Sequence, residues 1–168
     1  MVSCLYHERV QHEVNIKVDA APDDVFAVVA DLGHYDQLLD IVHKTDVEPI
    51  PAPRPTDADI ADEITDGAPA WSVTLRAKLG PLARSKRLRM VRALHQPPGA
   101  VRFERQELDG REHSTWTLSV TVAPTPTGSQ VIMALEYGGG LWSSALGGIL
   151  ETQVERASAN LRRMVTTG

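Results

Sequence analysis

Residues 138–165 read GGGLWSSALGGILETQVERASANLRRMV. Trp142, Leu146, Ile149, Leu150, Val154, Ala157, Leu161 and Met164 recur at three- and four-residue spacing, which is one face of an amphipathic helix. Glu151, Glu155, Arg156, Arg162 and Arg163 mark the other side. A single long helix has to bury its apolar stripe, and the candidate surface is the sheet formed by the strands before it. A helix laid over a curved sheet leaves a hollow between the layers. Gly147 and Gly148 each cost about 1 kcal/mol relative to alanine in a helix interior. They open a groove for a ligand, let the helix press onto the sheet, or mark a regular helix that starts only after them.

Working outward, residues 10–19 alternate. Val10, His12, Val14, Ile16 and Val18 share one side, the pattern of a half-buried strand. Pro22 suits the first turn of a helix, and Asp23 and Asp24 suit its positive end. Val25, Phe26, Val28, Val29 and Leu32 give that helix its apolar face, and Gly33 ends it. A short helix is expected over 34–40 and a strand over 41–48. Prolines at 49, 51, 53 and 55 cannot serve a central strand. Segment 49–69 therefore reads as an acidic, partly extended loop, with a short strand conceivable over 60–65. Strands follow over 70–79, 84–94, 100–108, 112–123 and 129–137. Gly80-Pro81, Pro97-Pro98-Gly99, Asp109-Gly110 and the stretch 124–128 punctuate them. Short connections imply antiparallel neighbours, and Asp109-Gly110 predicts a two-residue hairpin.

The totals bound the answer. The 168 residues suffice for one domain over 1–168. Hydrophobic residues make up 42%, charged residues 23%, and the net charge is -5, so the whole molecule does not attract nucleic acid or anionic membrane. One cysteine, Cys4, allows no internal disulfide and fits a reducing compartment. Residues 1–10 carry no apolar core of a signal peptide, and no run of about 18 apolar residues exists. A soluble cytoplasmic protein is the expectation.

The order is strand, two short helices, six strands, long helix. This order, with VNIKVDAAPDDVF at 14–26 and VADLGHY at 29–35, resembles the START-related (SRPBCC) superfamily. That group includes the birch pollen allergen, plant hormone receptors, lipid-transfer START domains, and bacterial polyketide cyclases and aromatases. The stretch LGPLARSKRLRM at 79–90 is similar to actinobacterial members of unassigned function. The resemblance implies an α+β helix-grip fold. In it a seven-stranded curved antiparallel sheet wraps around a long C-terminal helix, with two short helices between strands 1 and 2. It also implies a cavity between the concave sheet face and that helix.

Strand alternation nominates the lining. The in-phase sets are Trp71, Val73, Leu75; Leu88, Met90, Arg92; Val101, Phe103, Arg105; Trp116, Leu118, Val120; and Val131, Met133, Leu135, Tyr137. Trp142, Leu146, Ile149 and Gln153 come from the helix. Ligand-binding candidates are Trp71, Val73, Leu75, Leu88, Met90, Arg92, Phe103, Arg105, Trp116, Leu118, Met133, Leu135, Tyr137, Trp142, Leu146 and Ile149. The alternative is that they pack a dry core. Tryptophan and methionine suit adaptable apolar walls. Arg92 and Arg105 stay charged and need partners. They anchor an acidic ligand, or reach solvent at strand ends.

The six histidines show no metal-ligand spacing, so no metal and no cofactor are expected. No nucleophile elbow, phosphate loop or dinucleotide fingerprint appears. His34, Tyr35, Arg92, Arg105 and Tyr137 are available for acid-base work, but no pair stands out and the catalytic residues stay unassigned. Arg76, Lys78, Arg84, Lys86, Arg87, Arg89 and Arg92 supply seven of the 17 basic residues. No aromatics interleave them, so nucleic acid is not expected; an anionic headgroup or acidic protein fits better. The leading function is carriage or sensing of a hydrophobic small molecule: a lipid, isoprenoid or polyketide. The second is a polyketide cyclase, aromatase or dehydratase using the same cavity. The third is an interaction protein with a closed interior. Stable membrane insertion is not expected, and a second copy, forming a homodimer, is the remaining candidate partner.

Overall fold

The computed structural model describes residues 9–49, 68–79, 81–138 and 141–166, with the backbone alone at 9, 10, 79 and 141–145. Seven strands form one antiparallel sheet. They are β1 (Arg9–Val18), β2 (Val42–Val47), β3 (Ala70–Leu79), β4 (Leu82–Gln96), β5 (Ala100–Arg105), β6 (Trp116–Thr125) and β7 (Gly128–Gly138). Their spatial order is β1-β7-β6-β5-β4-β3-β2, with consecutive strands adjacent from β2 to β7. Helices α1 (Pro22–Val29) and α2 (Tyr35–Leu38) carry the chain from one sheet edge to the other. Helix α3 (Leu141–Thr166) lies over the concave face. This is the helix-grip arrangement.

Register explains the curvature's inner lining. His12 lies opposite Leu135, Val14 opposite Met133, and Leu118 opposite both Leu135 and Phe103. Val73 lies opposite Leu88. Opposed residues share a face, so these rows pool their apolar side chains on the concave side. From α3, Leu146, Leu150, Ala157 and Leu161 are buried against them. Glu151, Glu155, Arg156, Arg162 and Arg163 are exposed.

Several expectations change in detail. Helix α1 ends at Val29 rather than at Gly33. Gly33 sits inside a 3-10 turn over Leu32–His34, where the Asp31 carboxylate accepts its N–H at 2.8 Å. The Asp109-Gly110 hairpin is not two residues long. Pairing of β5 with β6 ends at Glu104 opposite Thr117, and residues 106–115 form a longer loop. Gly110 still takes the left-handed conformation there, with φ of 71°. The loop sequence has no alternating apolar side chains to bury. Its polar groups pair locally: Arg105 with Glu107 and Ser114, and His113 with Asp109. Helix α3 runs unbroken through Gly147 and Gly148. The strand conceivable over 60–65 lies outside the described residues.

Candidate functional site: an apolar cavity under the long helix

A cavity of about 100 Å³ lies between the sheet and α3. Strands β1, β3, β4, β6 and β7 wall it with Val14, Ile16, Val73, Leu75, Leu88, Met90, Trp116, Leu118, Met133 and Leu135. Leu146, Leu150, Val154 and Ala157 of α3 form the roof, and Leu32, Tyr35, Leu39, Ile41 and Val42 close one end. Only His12 and Gln153 add strongly polar side chains, and no Asp, Glu, Lys or Arg lines it among the described residues.

His12 is seated by its surroundings. Its Nε2 lies 3.2 Å from the Tyr137 hydroxyl, and the two rings stack at 5.8 Å. Tyr137 stacks in turn on Trp116 at 5.1 Å. Burial raises the Tyr137 pKa, so the phenol stays protonated and can donate to the imidazole. Gly147 makes this seating possible. A Cβ there would come within 2.5 Å of His12 Cε1. Of the roles open to this glycine, the close approach of helix and strand is the one the geometry shows. His12 and Tyr137 together can bind or move a proton at a ligand oxygen.

Tyr35 also lines the cavity, but its hydroxyl donates to the Val29 carbonyl at 2.8 Å. Burial first, and Asp31 second, push its pKa above any working range. It is a structural phenol. Two buried polar atoms on lining residues, Trp116 Nε1 and Gln153 Oε1, have no hydrogen-bond partner among the described residues.

Nine of the nominated residues line the cavity: Val73, Leu75, Leu88, Met90, Trp116, Leu118, Met133, Leu135 and Leu146. The others stand elsewhere. Trp71 and Phe103 pack edge to face at 5.7 Å, in solid core beside the cavity. Tyr137 stands behind His12 and Trp116. Ile149 is half-buried on the flank of α3, and the Trp142 side chain lies outside the described residues. Arg92 donates from Nη1 to the Ala30 carbonyl at 3.2 Å, at the C-terminal end of α1. Arg105 donates to Glu107 at 2.9 Å and to Ser114 at 3.3 Å. Neither guanidinium lines the cavity. Nor does either reach solvent at a strand end: Arg92 is half-buried within β4 on a backbone carbonyl, and the Arg105 side chain is 9% exposed against Glu107.

The sequence reading left out the β1 stripe of His12, Val14 and Ile16 and the α1–β2 segment. The β1 alternation was visible. The signal missing was that the edge strand β1 pairs with β7 and so closes the same concave face.

Among curated proteins, none matches this sequence. Solved structures share the fold at low identity. Protein TTHA0849 of Thermus thermophilus is 17% identical, with a TM-score of 0.62 over 95% of this chain and 98% of that one. The di-domain ARO/CYC BexL from the BE-7585A biosynthetic pathway is 16% identical, with a TM-score of 0.60 over 94% of this chain. The di-domain ARO/CYC StfQ from the steffimycin biosynthetic pathway is 14% identical, with a TM-score of 0.55 over 94%. This chain spans about half of each di-domain protein, 50% and 49%. Residues 9–167 match the model of the family described as polyketide cyclase / dehydrase and lipid transport, and the chain belongs to that family.

Proposed function

We propose that this protein binds a hydrophobic, uncharged small molecule in the cavity and carries or senses it. The observation that carries the reading is a concave apolar lining without an ionised side chain among the described residues. A carboxylate ligand would find no cation there, and burying its charge unpaired would be costly. The Trp116 N–H and Gln153 carbonyl, without partners among the described residues, favour a ligand with a few oxygens, such as an isoprenoid alcohol or a polyketide, over a plain hydrocarbon. The free volume is below the roughly 300–1,000 Å³ of pockets that hold drug-sized molecules. Unbranched Met90 and Met133 in the wall can shift to widen it.

The His12–Tyr137 pair favours a second reading. A ligand carbonyl beside His12 would meet a proton donor and acceptor, as cyclisation or dehydration of a polyketide requires. Native mass spectrometry of the purified protein, followed by organic extraction, tests both. A co-purified neutral lipid or polyketide supports carriage. Absence of ligand, with turnover of a poly-β-ketone mimic that His12→Asn abolishes, replaces it by catalysis.

A further inference from the structure

We infer that the β3–β4 hairpin is a docking element for an anionic lipid surface. The two strands pair down to Leu79 opposite Leu82, while β2 leaves β3 at Leu75. The arm thus runs four residues, about 13 Å, past the last residue of β3 paired with β2. Near its tip Pro81 is exposed and Leu82 is 58% exposed, one of three large apolar side chains so exposed among the described residues. Along the arm stand Arg76, Lys78 and Arg84, all exposed. Arg87 lies below its base, opposite Thr74, and donates to Ser72. Arg84 lies opposite Ala77 on the concave side, and Arg76 lies opposite Ser85 on the convex side, so cations flank the tip on both faces.

These three arm cations make no ion pair with a carboxylate and no side-chain hydrogen bond among the described residues. The sequence between Asp66 and Glu104 contains no Asp or Glu. A chain of net charge -5 therefore presents one basic arm, which an anionic surface would attract while repelling the remainder. An exposed leucine amid cations suits the interface of a bilayer, where apolar groups enter and Lys and Arg meet headgroups. Nucleic acid fits less well, because residues 76–87 hold no aromatic side chain for base stacking. Leu75 and Leu88, at the base of the same arm, line the cavity. Docking there would bring the cavity wall to the phase that dissolves an apolar cargo.

The test is co-sedimentation with extruded vesicles of phosphatidylcholine alone and of phosphatidylcholine with about 30% phosphatidylglycerol. The expected result is binding to the anionic vesicles alone, reversed by salt. Replacing Arg76, Lys78 and Arg84 together by Gln should weaken it by about fivefold per cation. Leu82→Ser should weaken it with charge unchanged. All four side chains are exposed, and Arg87 with its bond to the buried Ser72 is left in place, so circular dichroism and the unfolding midpoint should stay those of the wild type. The inference is overturned if the triple variant sediments like the wild type, or if the wild type ignores anionic vesicles, whether or not it binds single-stranded RNA. Vesicle binding is read with or without cargo, so failure of the cavity reading leaves this result interpretable.

Discussion

Met90 and Arg105 lie directly opposite each other on neighbouring strands, and both belong to the concave face. Met90 lines the cavity; Arg105 does not. Its guanidinium is taken up by Glu107, Ser114 and His113, where β5 gives way to its loop. Glu107 is held ionised by this arrangement. Burial raises its pKa, but the Arg89 backbone N–H and the Arg105 guanidinium more than reverse that, and the net shift is downward. Two residues of one row thus belong to different chemistries. The two-residue period assigns a face, but the last few ångströms of a long side chain are assigned by whatever partners stand within reach. The cavity is what remains where side chains are too short or too apolar to find such partners.

The largest effect should come from contrasting solid core with cavity wall. Phe103 is fully buried between Trp71 and Tyr35 and does not line the cavity. Phe103→Ala should cost about 3–5 kcal/mol in denaturant unfolding. Leu118 is half-buried and borders free space, so Leu118→Ala should cost about 1–2 kcal/mol, the transfer term of its lost methyls with little new cavity. Equal losses would mean that the space is not there.

Next in size is the contact between α3 and β1. Gly147→Ala puts a methyl into the His12 ring and should cost about 1–3 kcal/mol, despite the better helix propensity of alanine. Combining it with His12→Ala should recover most of that loss. A double-mutant cycle that sums without coupling would remove His12 from beneath the helix.

The smallest effect tests the arginine that meets the end of α1. Arg92→Leu removes one hydrogen bond at the end of α1 and should cost about 0.5–1.5 kcal/mol of stability. Binding of a neutral cavity ligand should stay as in the wild type, and an acidic ligand should bind neither protein tightly. Selective loss of the acidic ligand would return Arg92 to the cavity.

Sequence pattern carried the architecture further than the site. The alternation of 70–79 and the helical stripe from Leu146 to Met164 each matched one element, because burial on one face leaves a period that is local in sequence. The 106–115 loop broke the rule because Arg105, His113 and Ser114 found one another across it. Arg92 misled for a similar reason: its partner, the Ala30 carbonyl, is 62 residues away and invisible to any local pattern. Gly147 was conspicuous as a helix-interior glycine, yet its reason is an imidazole on an edge strand. Such pairings exist only once the first and last elements of the chain have met.

The most direct measurement is calorimetric titration with a neutral aromatic polyketide mimic, comparing the wild type with Leu118→Trp, which fills the cavity while the sheet is kept. Binding by the wild type, weakened about tenfold or more in the variant at unchanged thermal stability, is the expected result. Identical binding by both proteins would place the ligand outside the cavity and contradict the proposal that this interior space holds cargo.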